Sequence, residues 1–153
     1  VTFASCKYPW DISLDLPDVV SFNIYPGWYH DEPSAQYLQE MYEWLQDKTP
    51  GRGKPFIVSE IGAGGIYGYH VSNGLKWSEE KQAQILDDQL RAVLSHPGTA
   101  GVFVWMFADC RVSPENFYAR PKTMNNKGVV DEYRRRKLAY DAVKAVFTSP
   151  DYR

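Results

Sequence analysis

A chain of 153 residues with 44% hydrophobic and 24% charged residues has the length and composition of one globular domain with enough apolar mass for a core. Its formal net charge is −2 and its pI about 5.9, and the one basic cluster, around Arg134-Arg135-Arg136, is too short for a nucleic-acid footprint. No apolar stretch reaches the length of a membrane span, Val1-Thr2-Phe3-Ala4 is unlike a signal peptide, and Cys6 and Cys110 are too few for a disulfide scaffold or a cysteine-rich zinc site.

The expectation is therefore a soluble domain, cytoplasmic or periplasmic. Aromatic residues make up 15% of the chain, with 11 Tyr and 5 Trp. Packing alone rarely uses so many amphipathic rings, whereas sugar-binding clefts do.

Val1 to Cys6 reads as a first strand, followed by a loop punctuated by Pro9, Asp11, Asp15 and Pro17. Asp18 to Tyr25 is a second apolar run, closed by Pro26-Gly27. Residues 33–47 place Tyr37, Leu38, Met41, Trp44 and Leu45 at helical spacing, with Ser34 as the expected N-cap. Pro55 to Glu60 is a third strand running into Gly62-Ala63-Gly64-Gly65. Ser78 opens a helix through Leu94 whose buried side carries Ile85, Leu86, Leu90, Val93 and Leu94. Gly101 to Phe107 is a fourth strand, a polar loop follows through Lys127, and Tyr133 to Phe147 forms the last helix on Leu138, Ala142, Val143 and Val146.

Short continuous apolar strands alternating with helices predict an α/β fold with a parallel sheet. An open doubly wound sheet and part of a (β/α)₈ barrel both fit this order. In either, chemistry belongs at the C-terminal ends of the strands. Those ends carry Ser5-Cys6-Lys7-Tyr8, Asn23 to Tyr29, Ser59-Glu60 and Trp105 to Asp109. Glu60 stands out, because a carboxylate closing Phe56-Ile57-Val58 has no ordinary packing role. His30, His70 and His96 are scattered without metal-ligand spacing, and Gly62-Ala63-Gly64-Gly65 lacks the Lys-Ser/Thr of a phosphate-binding loop. That glycine run is expected to be a flexible active-site loop.

The segments DVVSFNIYPGWY, KPFIVSEIGAGG, WSEEKQAQILDDQL, GVFVWMFADC and NNKGVVDEYRRRKLAYDAV resemble, in order, the second half of the catalytic barrel of family 2 glycoside hydrolases, the β-glucuronidases and β-galactosidases. The resemblance implies a (β/α)₈ barrel in which residues 1–153 form a single partial domain holding strands five to eight. It implies a retaining exo-glycosidase without a cofactor, with Glu60 as nucleophile and Tyr25 hydrogen-bonded to it. Asn23, Tyr29 and Trp105 fall at positions lining the sugar site, and Asp109 is expected to cap a loop.

Asn125 and Lys127 match an Asn-x-Lys that binds a uronic acid carboxylate in β-glucuronidases, with Arg120 nearby but one residue further from the Asn than in that family. This favours a glucuronide over a galactoside. The family's general acid/base Glu has no counterpart here, so the resemblance implies a partner in the N-terminal half of the parent barrel. Alone, the chain is expected to be inactive, and its exposed sheet edges predict a homodimer. The alternative from another class is a non-catalytic carbohydrate-binding or assembly fragment with an aromatic rim.

Overall fold

The anticipated apolar runs form β1 (Ala4–Ser5), β2 (Val20–Asn23), β3 (Phe56–Ile61) and β4 (Thr99–Val104) in a computed structural model that describes residues 1–152. They lie in one sheet in the order β1-β2-β3-β4. β1 pairs parallel to β2 (Ala4 opposite Ser21), and β2 parallel to β3 (Val20 opposite Phe56). A sheet laid down strictly in chain order is wound in one direction, as a barrel wall is; a doubly wound sheet reverses its order at a switch point. Between the two architectures the sequence leaves open, strand order selects the barrel type.

Two compact units make up the chain. The first comprises Val1–Ile61 and Gln89–Phe103. Here β2 is buried at Val20, Ser21 and Phe22, as expected of a strand covered on both faces. α1 (Ser34–Lys48) buries Leu38, Met41 and Leu45, one helical stripe, and the Phe22 ring packs tilted or edge-on against Phe56 and Trp44. Pro33, not Ser34, occupies the N-cap of α1, and Ser34 is the first, buried helical residue.

The proline-rich crossover between β1 and β2 carries no helix. Lys54 Nζ holds it by donating to the carbonyls of Leu14 (3.0 Å), Asp15 (2.6 Å) and Pro17 (2.8 Å). The first strand is shorter than the anticipated Val1 to Cys6, although Thr2 Oγ1 still donates to Val19 O at 2.7 Å. Phe103, on β4, is 62% exposed.

The second unit comprises Gly62–Asp88 and Val104–Arg153. α2 (Glu79–Ser95) begins where expected, capped by Ser78 Oγ accepting from the Lys81 N–H at 3.2 Å. Ile85 and Leu86 lie in its buried stripe, which continues through Leu90 and Val93; Leu94 is half-buried. The anticipated polar loop contains an antiparallel pair, β5 (Cys110–Arg111) with β6 (Met124–Asn125), joined through 3₁₀ turns at Pro114–Ala119 and Pro121–Thr123.

The last helix, α3 (Leu138–Thr148), starts five residues later than the spacing predicts. Asp131 accepts from the N–H groups of Tyr133 (3.0 Å) and Arg135 (2.8 Å), and Arg134 takes φ +67°, so 131–136 is locked as a turn. The helix consequently buries Ala139 and Val146, while Leu138 is exposed and Ala142 and Val143 are half-buried.

Candidate functional site

In the first unit, the end of β2 meets the end of β3 through a local irregularity. Phe22 pairs with Val58 but Asn23 pairs with Glu60, so the register skips one residue and Ser59 is left out of the ladder. Such a bulge re-aims side chains at a strand end. Here Ser59 Oγ donates to Asn23 Oδ1 at 2.7 Å, and the Ile24 N–H donates to Glu60 O at 2.8 Å. The Tyr25 hydroxyl donates to Glu60 Oε2. Tyr25 and Glu60 are thus joined directly, as the family resemblance implies, and the phenol orients the carboxylate, while Asn23 lies opposite Glu60 in the ladder and bonds Ser59.

Tyr29 joins this group through its ring, edge-on to Tyr25 with centroids 5.3 Å apart, and is 53% exposed. The turn that carries both tyrosines closes with the Gly27 N–H donating to His30 O at 2.7 Å, and Gly27 takes the left-handed φ of +76° that glycine tolerates. Buried Gln89 anchors the turn by donating from Nε2 to Pro26 O at 2.7 Å. Gln89 was invisible as a support, because a glutamine in a helical run reads as a solvent-facing residue.

In the second unit, Trp105, Asn125 and Lys127 come together along the backbone. The peptide Trp105–Met106 is cis; Met106 donates its N–H to Lys127 O at 3.0 Å and accepts from the Val129 N–H at 2.9 Å. Asn125 Oδ1 accepts from the Lys127 N–H at 3.3 Å, Lys127 is only 3% exposed, and Trp105 is 39% exposed. Arg120 sits at the end of a 3₁₀ turn, with its backbone bonded to Phe117 and Thr123.

Asp109 caps a loop as expected, accepting from the Gly128 N–H at 2.8 Å. Its partner escaped sequence reasoning. Lys137 Nζ donates to Asp109 Oδ1 at 2.8 Å, to Gly65 O at 2.5 Å and to Asn126 O at 3.2 Å, and Lys137 is 1% exposed. It ends a run of three arginines, and a charge run ordinarily reads as a solvated face. Gly65 is held further by its N–H to Asn126 O at 2.8 Å, and Gln82 Nε2 donates to Ala63 O and Gly128 O at 3.0 Å each. The Gly62-Ala63-Gly64-Gly65 segment is therefore buried and pinned, not the flexible loop the sequence suggests. Gly128 is required by space, since a Cβ there would collide with backbone atoms of Ala108, Asp109 and Val130.

Burial pushes the Asp109 carboxyl up to about 6, against the opposing pull of the Lys137 ammonium and the Gly128 N–H. Burial likewise pushes the Lys137 ammonium down, opposed by Asp109. Between the ordinary aspartate range and about 6, the folded chain keeps a proton that the unfolded chain has released. The Asp109 contribution is therefore full below that range and is lost as pH rises through about 6. The melting temperature of the wild type minus that of Asp109→Asn should fall as pH is raised across this window, measured by thermal unfolding of the full-length parent. A difference independent of pH would contradict the assignment.

Among the described residues no helix is long and apolar enough to cross a membrane, and no group of three or more His, Cys, Asp or Glu is placed to hold a metal ion. The family described as "Glycosyl hydrolases family 2, TIM barrel domain" matches residues 6–150. Among curated proteins, a β-glucuronidase of Streptococcus agalactiae is 32% identical over 148 residues, covering 93% of this chain and 24% of its own length. A β-glucuronidase of Sus scrofa is 32% identical over 146 residues, or 91% of this chain and 22% of that protein.

Among solved structures, a family 2 β-galacturonidase from Eisenbergiella tayi bound to galacturonate is 55% identical with a TM-score of 0.94, over 95% of this chain and 26% of that one. A Bifidobacterium dentium β-glucuronidase complexed with coumarin-3-O-glucuronide is 27% identical with a TM-score of 0.79, over 99% of this chain and 24% of that one. The chain thus spans about a quarter of the length of these relatives.

Proposed function

The chain belongs to the TIM-barrel domain of family 2 glycosyl hydrolases, and from that membership we propose that it supplies the nucleophile half of a retaining exo-glycosidase acting on terminal β-linked uronic acids. The observation that carries this reading is the Tyr25 hydroxyl bonded to the carboxylate of Glu60 at the end of β3. Held at Oε2, the carboxylate presents Oε1 to the anomeric carbon. Attack forms the C–O bond of a glycosyl-enzyme ester while the bond to the leaving oxygen breaks, and that oxygen takes a proton from the acid/base carboxyl. Water then attacks the anomeric carbon, gives its proton to the same carboxyl, and releases Glu60 with net retention. In this reading the acid/base carboxyl comes from the preceding part of the parent barrel.

Asn125 and Lys127 take the sugar's carboxylate, the lysine as a charge and the asparagine through its amide N–H, since its Oδ1 already accepts from the Lys127 backbone. Trp105 and Tyr29 supply ring surface for the sugar, Asn23 holds the strand end, and Arg120 adds positive charge. Galacturonides and glucuronides share the carboxylate and differ in configuration at C4, so both fit this grip and a neutral galactoside does not. The 55% identity to the galacturonidase, against 32% to the glucuronidases above, puts the galacturonide first.

The deciding experiment is a panel of chromogenic β-galacturonide, β-glucuronide and β-galactoside assayed on the full-length parent. One charge-assisted hydrogen bond is worth roughly 1.5–3 kcal/mol, so the better uronide should exceed the galactoside in kcat/KM by about tenfold or more. A preference for the galactoside overturns the uronide reading, and binding of all three without turnover favours the carbohydrate-binding alternative.

A further inference from the structure

All four backbone polar groups around Lys127 have partners. Before it, Asn126 O accepts from Lys137 Nζ and the Gly65 N–H, and the Lys127 N–H goes to Asn125 Oδ1. After it, Lys127 O accepts from the Met106 N–H, and the Gly128 N–H goes to Asp109 Oδ1. Two of these groups, one on each side of Lys127, are held by the same buried ion pair. The pair also reaches the segment after β3, through Lys137 Nζ to Gly65 O.

We propose that Asp109 and Lys137 are positioning residues for uronate recognition: the buried pair clamps the peptides on both sides of Lys127 and so fixes where its ammonium and the Asn125 amide meet the substrate carboxylate. The inference rests on the reading of Asn125 and Lys127 as the carboxylate grip. Neither member of the pair touches substrate in this account. The physical argument is that a side chain is aimed by its backbone. Each anchor of the pair is deeply buried, where hydrogen bonds are strong and the alternative is an unpaired polar group. Ordinary loop stability would be served by apolar packing at Lys137, since a buried ion pair costs desolvation that packing avoids. What the pair adds is direction, because Lys137 ties Gly65, Asn126 and Asp109 to a single nitrogen.

The test uses the full-length parent with three variants. Asp109→Asn keeps the volume and removes the charge; Asp109→Asn with Lys137→Met removes both charges and leaves no lone buried one; Lys127→Ala reports on the grip itself. Each is assayed on the better uronide and on the galactoside, with KM and kcat separated. A displaced grip should lower kcat/KM for the uronide roughly tenfold to a hundredfold more than for the galactoside, chiefly through KM, in both clamp variants. Equal losses on the two substrates in either clamp variant that folds, with Lys127→Ala still selective, would overturn the clamp and leave the grip standing. A Lys127→Ala enzyme that loses both substrates equally would overturn the grip, and the clamp with it.

Discussion

Glu60→Gln in the full-length parent should abolish turnover of every glycoside while leaving the fold in place. Glutamine keeps the length and planarity of the side chain, so the Tyr25 hydroxyl still finds an oxygen acceptor. An amide is no nucleophile towards an anomeric carbon, and no neighbouring side chain in this group replaces it, since Asn23 and Ser59 are bonded to each other. Removing a covalent nucleophile from a working constellation costs on the order of 10⁴- to 10⁶-fold in kcat. Steady-state assay, with circular dichroism to verify folding, checks the outcome. Near-normal kcat in a folded Glu60→Gln protein would remove Glu60 from the chemistry, and with it the argument built on the bulge between Phe22 and Asn23.

Lys127→Ala should convert a uronide-preferring enzyme into one that hardly distinguishes a uronide from a galactoside. In the proposed grip the ammonium supplies a charge-assisted hydrogen bond worth roughly 1.5–3 kcal/mol, so the expected loss is about 10- to 150-fold in kcat/KM, confined to substrates that carry the carboxylate. Lys127 is nearly fully buried, so its truncation also removes packing. That second cost falls on both substrates alike, and the ratio of the two specificity constants isolates the first. A ratio unchanged from wild type would mean that Lys127 supports the segment without reading the substrate.

The placement of the candidate residues was legible one by one because strand ends announce themselves. A Glu closing an apolar run, or an Asn and a Tyr two residues apart before Pro-Gly, marks the C-terminal rim of a parallel sheet whatever the tertiary detail. Asn23, Tyr25 and Glu60 were each predictable on that ground. The family resemblance implied the bond between Tyr25 and Glu60, but not the one from Ser59 to Asn23, which depends on one skipped residue between β2 and β3, a property of two strands together.

The sequence by itself determined the order of elements, the parallel sheet and the placement of Glu60 at a strand end. Those follow from short continuous apolar runs, helical spacing of 3.6 residues and turn residues, which act over a few positions. Only tertiary structure decided the sheet order over an open alternative, the burial of Gly62 to Gly65, and the singling out of Lys137 from its basic run. Each of these depends on a partner that no local window contains. Lys137 lies 28 residues from Asp109 and 72 from Gly65. A lysine is stable in the interior only where such acceptors converge on its ammonium, so its burial is settled by the fold around it and not by its neighbours in the chain.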